Sequence, residues 1–505
     1  MLQQNWYNDG NRYLKWIRKN PSKVFFTYDL LFLLFLLLFV VDTLPAMAFF
    51  IAFYTAISLL LLRQAKKEQK KKPLVFTSRV KRLVVTTYLL YLIPTIIMGC
   101  LFDIDVLVWY YIILGFCGYF NYFIVYLANI INYPIEAWIR HRFRKKAISK
   151  LHTMSNLKVI GITGSYGKTS SKNILSDILN IKYNALPTPK NFNTPVGLIM
   201  TINQKLDKFT DYFIAEMGAF RRGEIKELCD LVHPTYGILT KIGTAHLDSF
   251  GSQENIQKGK FELIESLPAE GIGILNGDDE LQRSYPLKNN CKILWIGIES
   301  KDVDVRAEKI EMDASGMSFQ VVFKGDKKKY PFSTKLLGKA NIYNILAAIA
   351  LGKELGLDIK KLQAGVKKVS SIEHRLELKP YGPVHLIDDS YNSNPVGSKM
   401  ALEVLDLMPG KKIIVTPGMI ELAEQEYELN KQFGMQIAAV CDEVILVGEQ
   451  QTKPIQDGLK EKKFPKEKIH ILNDVLETFP LMLKLKEGQT YVLLENDLPD
   501  IFNEK

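Results

Sequence analysis

The sequence predicts a four-helix membrane domain followed by two α/β domains. Three observations predict it. Four apolar stretches, near 24–41, 44–62, 83–102 and 106–131, crowd the start of the 505-residue chain. Residues 158–179 run strand, glycine loop, Lys-Thr, helix. From residue 157 onward, short β-rich runs alternate with helical patterns, which is how a largely parallel sheet with covering helices reads.

Each apolar stretch approaches the ~20 residues that a helix needs to cross a bilayer. Only Asp42 and Thr43 separate the first two, and Asp103, Ile104 and Asp105 separate the last two, so both pairs read as helical hairpins. Basic residues orient them. Lys and Arg collect before the first stretch (Arg12 to Lys23), between the second and third (Arg63 to Arg82) and after the fourth (Arg140 to Lys150), and the short connections have none. This predicts four spans in a cell membrane, with the N-terminus and the α/β part on the cytoplasmic side. The first run is long and lacks a small-residue cleavage site, so a cleaved signal is not expected. Residues 1–150 carry 20 Lys and Arg against 7 Asp and Glu, and the other 355 carry 45 against 47. The basic surplus therefore belongs to the membrane part and does not point to nucleic acid. Five scattered cysteines without a Cys-x-x-Cys pair fit a reducing compartment and no structural zinc.

Residues 158–171 read Lys-Val-Ile-Gly-Ile-Thr-Gly-Ser-Tyr-Gly-Lys-Thr-Ser-Ser. Glycines such as Gly164 and Gly167 let backbone N–H groups approach phosphate oxygens. The following helix contributes its positive end together with Ser170, Lys168 a full charge, and Thr169 a hydroxyl for Mg²⁺. The spacing departs from the usual phosphate loop, because the first glycine is Gly161 and position 162 is Ile162. Strands are expected near 158–162, 212–216, 236–240 and 272–275 in the first α/β domain. A second set, near 385–388, 412–416, 443–447, 469–472 and 490–494, follows a boundary near 370. The domains are thus 1–150, 151–369 and 370–505.

Further motifs follow in order: Thr188-Pro-Lys-Asn-Phe-Asn-Thr-Pro, Ala215-Glu-Met-Gly-Ala, Gly243-Thr-Ala-His and Lys258-Gly-Lys-Phe-Glu. After them come Gly338-Lys-Ala-Asn-Ile-Tyr-Asn, His374-Arg-Leu and Asp388-Asp-Ser-Tyr-Asn-Ser-Asn-Pro. In this order they resemble the Mur ligase family over about 157–500, and within it the type that adds D-alanyl-D-alanine to a muramyl tripeptide. The resemblance implies a central P-loop ATPase domain and a Rossmann-like C-terminal domain. It also implies an ATP- and Mg²⁺-dependent ligase that makes an amide bond through an acyl phosphate. Its partners would be a cell-wall precursor, UDP- or lipid-linked, and an amino acid or dipeptide.

By the same resemblance Lys168 binds the β- and γ-phosphates, and Thr169, Glu216 and His246 serve Mg²⁺. Lys260 is the lysine that becomes carbamylated, Asn344 reads adenine and Asp389 holds ribose. Arg375 approaches the phosphates from the C-terminal domain. Asn191, Asn193, Thr194, Tyr391, Asn392 and Asn394 fall on the substrate side. Three positions depart from the family pattern: Thr194 replaces an asparagine, Ala340 a histidine and His374 a glycine. Four spans stand where the family has a domain for the UDP-linked substrate, so a membrane-associated, lipid-linked acceptor is expected. A membrane-anchored ligase of another polymer (of the poly-γ-glutamate type) and an inactive ATP-binding scaffold are the alternatives. An ATP-driven transporter is disfavoured, since no Leu-Ser-Gly-Gly-Gln signature occurs.

Overall fold

The computed structural model describes residues 10–21, 24–25, 52, 55–56, 59, 63, 74–102, 104–244, 246–391, 393–420, 422 and 425–497. The chain forms two compact units, Met1–Arg142 and Phe143–Lys505.

In the first unit α1 (Gly10–Lys19) buries Tyr13 and Ile17, one turn apart, and leaves Lys15, Arg18 and Lys19 exposed. The expected span over 83–102 is helix α2 (Ser78–Leu101), capped by the Thr77 hydroxyl, which accepts from Val80 N. At ~1.5 Å per residue it is long enough to cross a bilayer. Its apolar side chains, Val85, Leu92, Ile93 and Ile96 among them, are exposed. Among the described residues it is the one continuous helix long and apolar enough to cross a membrane.

The expected span over 106–131 is not one helix. It is α3 (Ile104–Tyr119) and α4 (Asn121–His152), which break at Phe120 with an 85° bend. Gly115 and Gly118 weaken the last turns of α3. At the break the Tyr91 hydroxyl lies 2.9 Å from the Cys117 carbonyl and 3.1 Å from Asn121 Oδ1. Side-chain insertion of this kind stabilises a bend. The expected spans over 24–41 and 44–62 fall almost entirely outside the described residues. The four-span expectation thus reduces here to one continuous helix and one bent pair.

The second unit holds two sheets. The first is built from β1 (Lys158–Thr163), β2 (Ala185–Pro187), β3 (Tyr212–Glu216), β4 (Tyr236–Leu239), β5 (Ile272–Asn276), β6 (Lys292–Gly297), β7 (Val305–Asp313), β8 (Gly316–Phe323) and β9 (Lys329–Thr334). Their order is β2-β3-β1-β4-β5-β6-β7-β8-β9. Pairing is parallel from β2 to β7 and antiparallel from β7 to β9. The expected strands appear within a residue or two of their predicted ends, whereas the β6–β9 extension carried no motif.

Central strands are apolar on both faces because both are covered. Ile160 and Ile162 of β1 face a core with Ile174 and Ile178 of α5 (Lys168–Leu179) and Ile345 and Leu346 of α11 (Lys339–Glu354). Val159 and Phe213 face the opposite core, with Leu228 and Leu263. Between these helices in the chain lie α6 (Pro195–Gln204), α7 (Glu224–Val232), α8 (Leu247–Phe250), α9 (Gln253–Glu265) and α10 (Glu280–Arg283). The chain winds from β1 to β2 and β3 on one side, then to β4 on the other. The crevice at the carboxyl ends of β1, β3 and β4 is where such sheets bind ligands.

The second sheet runs β10 (Glu377–Tyr381), β11 (Val384–Asp389), β15 (Thr490–Glu495), β12 (Lys411–Thr416), β13 (Glu443–Val447) and β14 (Ile469–Leu472) across. It is parallel except for the β10 edge.

Candidate active site

Two glycines allow the loop after β1 to take its shape. A Cβ on Gly164 (φ +148°) would sit 1.9 Å from Thr240 Oγ1, so only glycine lets β4 approach this closely. Gly167 (φ +82°) caps α5 in the left-handed region. Lys168 then folds back, its Nζ donating to the carbonyls of Gly164 (2.8 Å) and Ser165 (3.0 Å). Its pKa falls to about 8, chiefly through burial, with the Glu216 charge opposing and the Arg375 charge adding to the fall. Ser170 is buried in the first turn of α5. Ser171 Oγ donates to Asn344 Oδ1 at 2.7 Å, and Asn344 also lines Gly167. Asn344 therefore packs against the loop and the start of α5.

Glu216 ends β3, buried to 1% exposure. Its Oε1 accepts from Thr169 Oγ1 and from Asn193 Nδ2, each at 3.2 Å. Its Oε2 accepts from Lys172 Nζ at 2.9 Å. Three of the expected residues, Thr169, Glu216 and Asn193, thus meet at one carboxylate. Lys172 carried no expectation. The signal for it was its position one turn after Lys168, on the same helix face.

His246 stands at φ +64° as the N-cap of α8, its ring 4.5 Å from that of Phe220. The residue as a whole is exposed, but desolvation of the ring, reinforced by Lys168 and Lys260, lowers its pKa to about 4, so the ring is neutral at pH 7. Lys260 is 1% exposed, donates to the Ala219 carbonyl at 3.3 Å and lies 5.3 Å from the Phe250 ring centre. Burial first, then the Lys168 charge, lowers its pKa to about 7. Its neighbour Lys258 is half-buried and pairs with Glu254. Of the two lysines, only Lys260 has the surroundings of a reactive amine.

From the C-terminal domain, the Arg375 guanidinium lies 4.6 Å from the Tyr391 ring centre. Asp389 accepts from Leu376 N at 3.1 Å. Its pKa rises to about 6, chiefly by burial, with Asp388 adding and Arg375 opposing. The adjacent residue in register is Glu495, which ends β15. Glu495 is 1% exposed; Ser393 Oγ donates to its Oε1 at 2.5 Å, and its Oε2 has no partner. Sequence reasoning passed over Glu495, since a strand-end acid has no distinguishing spacing.

Other expected substrate-side residues hold local structure. Thr194 caps α6 by accepting from Gly197 N, and Asn394 caps the helix Pro395–Asp406 by accepting from Val396 N and Gly397 N. Asn191 is exposed beside Lys190, which has φ +47°. Asn392 lies outside the described residues.

The loop suits a triphosphate: a backbone cradle, a helix N-terminus and a lysine. Thr169 and Glu216 offer adjacent oxygens to a hard divalent cation such as Mg²⁺. Among the described residues no group of three or more His, Cys, Asp or Glu could hold a metal ion.

Two family models match this part of the chain: the Mur ligase middle domain over residues 162–352, and the Mur ligase, glutamate ligase domain over 374–494. A UDP-N-acetylmuramoyl-tripeptide–D-alanyl-D-alanine ligase of Bacillus subtilis is 32% identical over 56% of this chain. The chain spans 60% of that relative's length and 65% of its Escherichia coli counterpart's. The protein of the same name from Buchnera aphidicola is 30% identical over 76% of this chain and 82% of its own length. Among solved structures, a Thermotoga maritima MurF ligase in complex with ADP is 26% identical, with a TM-score of 0.62 over 72% of this chain and 81% of that one. A MurF from Acinetobacter baumannii gives 25% and 0.62 over 71% and 77%. Both domains are matched in order, and a relative is covered over most of its length: this chain belongs to the Mur ligase family and is of the MurF type.

Proposed function

We propose that this chain is an ATP-dependent ligase that joins an amino acid or dipeptide to a cell-wall precursor by an amide bond. The observation that carries the reading is the Thr169–Glu216 pair, held at the carboxyl end of β3 beside the Lys168 loop. The named activity of the curated relatives, adding D-alanyl-D-alanine to a UDP-linked tripeptide, supplies the substrate class.

In this reaction a substrate carboxylate attacks the γ-phosphorus of ATP, and ADP leaves. The amine then attacks the acyl carbon, loses a proton, and the tetrahedral intermediate expels phosphate. Two anions must meet, so charge neutralisation and positioning dominate. Lys168 and the α5 N-terminus would hold the phosphates, with Arg375 approaching from the other domain. Thr169 and Glu216 would hold Mg²⁺, with His246 neutral and able to offer a lone pair. Mg²⁺, when bound, neutralises phosphate charge. Lys260, once carbamylated, would add an anion beside the metal. Asn344 and Asp389 would bind adenine and ribose.

Lys168→Ala should lower ATP-dependent product formation by at least ~100-fold, read by mass spectrometry of cell-wall precursors. Unchanged product would favour the inactive scaffold. The poly-γ-glutamate alternative is weakened by the match to a Mur ligase C-terminal domain over residues 374–494.

A second reading concerns the acceptor. The exposed apolar face of α2 and the flanking basic segments support a protein held in the cell membrane, its ligase domains on the cytoplasmic side, acting on a lipid-linked precursor. The detergent-solubilised protein should then prefer a lipid-linked muropeptide to the soluble UDP-linked tripeptide. Equal kcat/KM on the two would remove this reading.

A further inference from the structure

Lys172 and Glu216 form an ion pair in which each side chain is only 1% exposed. The same Nζ also donates to the backbone carbonyl of Lys190, in the substrate-side loop. Asn193 of that loop donates to the other carboxylate oxygen, and its main-chain carbonyl accepts from Gly218 N at 2.8 Å. Glu216 is therefore fully engaged: Lys172 on Oε2, Thr169 and Asn193 on Oε1. A carboxylate awaiting a metal in water would ordinarily be open. This one already has a resident cation.

The charges around it explain what that cation does. Glu216 faces several cations: its charge acts on both Lys168 and Lys172, and the Arg375 charge acts on the same two lysines. A free divalent ion entering this site meets net positive charge and must displace an ammonium group from a desolvated pair. A triphosphate reverses the sign of the field, and the ion then arrives with its own counter-charge.

We propose that Lys172 is a positioning residue that occupies Glu216 as a stand-in cation, so that a divalent metal binds only together with nucleotide. The inference rests on the reading of Glu216 as a metal ligand. Through the Lys190 carbonyl and Asn193, the arrangement of Glu216 also sets that of loop 190–194.

The test uses the full-length protein in detergent and Mn²⁺ as the probe, with free Mn²⁺ followed by electron paramagnetic resonance. Wild type should bind Mn²⁺ at least ~10-fold more tightly with a non-hydrolysable ATP analogue than alone, and Lys172→Met should bind Mn²⁺ alone about 10-fold more tightly than wild type. Lys172→Arg, which keeps the charge, should behave as wild type. Lys172→Met with no gain in metal-only affinity overturns the proposal. Should that variant not fold, wild-type binding of Mn²⁺ that is equally tight with and without the analogue overturns it. Glu216→Gln separates the two readings. If it keeps wild-type metal binding in the presence of nucleotide, Glu216 is not the ligand. If it loses that binding while Lys172→Met gains nothing, only the role of Lys172 fails.

Discussion

Lys260 is a buried amine whose pKa falls to about 7, from an ordinary value near 10.5. A base whose folded-state pKa is depressed destabilises the fold as pH drops from the unfolded value toward the folded one. Lys260→Met should therefore be more stable than wild type by roughly 2–4 kcal/mol at pH 7 in CO2-free buffer, with the gap closing toward pH 10. Urea unfolding at several pH values reads this directly. The same depressed pKa leaves a large neutral fraction at pH 8, able to attack CO2. ¹³C-bicarbonate should label the wild type there and leave Lys260→Met unlabelled.

Asp389 and Glu495 show the opposite shift. Burial raises both carboxyls, and each raises the other or is raised by a neighbouring acid. An acid with a raised folded-state pKa contributes stability at low pH that is lost as pH rises through that value, for Asp389 about 6. Glu495→Gln keeps an acceptor for the Ser393 hydroxyl and removes a charge. It should stabilise the protein at pH 7 and change it little at pH 4, because the buried acid binds its proton more tightly folded than unfolded. No gain at pH 7 in urea unfolding would contradict this. Neither shift was legible in the sequence, because a lysine or an acid acquires such a pKa only from what the fold packs around it.

At the scale of elements, the β1 loop and α5 were the most legible part. Glycines, Lys-Thr and a following apolar period prescribe one local geometry, and the structure adds that Gly164 is needed for the approach of Thr240. Gly164→Ala should weaken nucleotide binding at least ~10-fold in a calorimetric titration, since a Cβ 1.9 Å from Thr240 Oγ1 forces the loop or β4 to move. Asn394 is a helix cap, so Asn394→Ala should cost about 1 kcal/mol of stability. Asn394→Ser should restore it. A loss of activity shared by both variants, with stability kept in the second, would assign Asn394 to the substrate side. The expected fourth span failed as one element because hydropathy averages over a window, whereas the bend at Phe120 depends on two glycines and a tyrosine from another helix.

At the scale of the whole molecule, the family relationship covers the second unit, and α2 supplies an apolar helix in the first. The full chain should stay with membranes through an alkaline carbonate wash and leave only with detergent; release by carbonate alone would show a peripheral attachment. By itself the sequence determined the phosphate loop and nine of the fifteen strands, because these follow from local periodicity and backbone chemistry. Only the tertiary structure decided which groups meet: Lys172 on Glu216, Asp389 beside Glu495, Lys260 on the Ala219 carbonyl. Those pairings depend on residues tens to more than a hundred positions apart, brought together by the crossovers of parallel sheets.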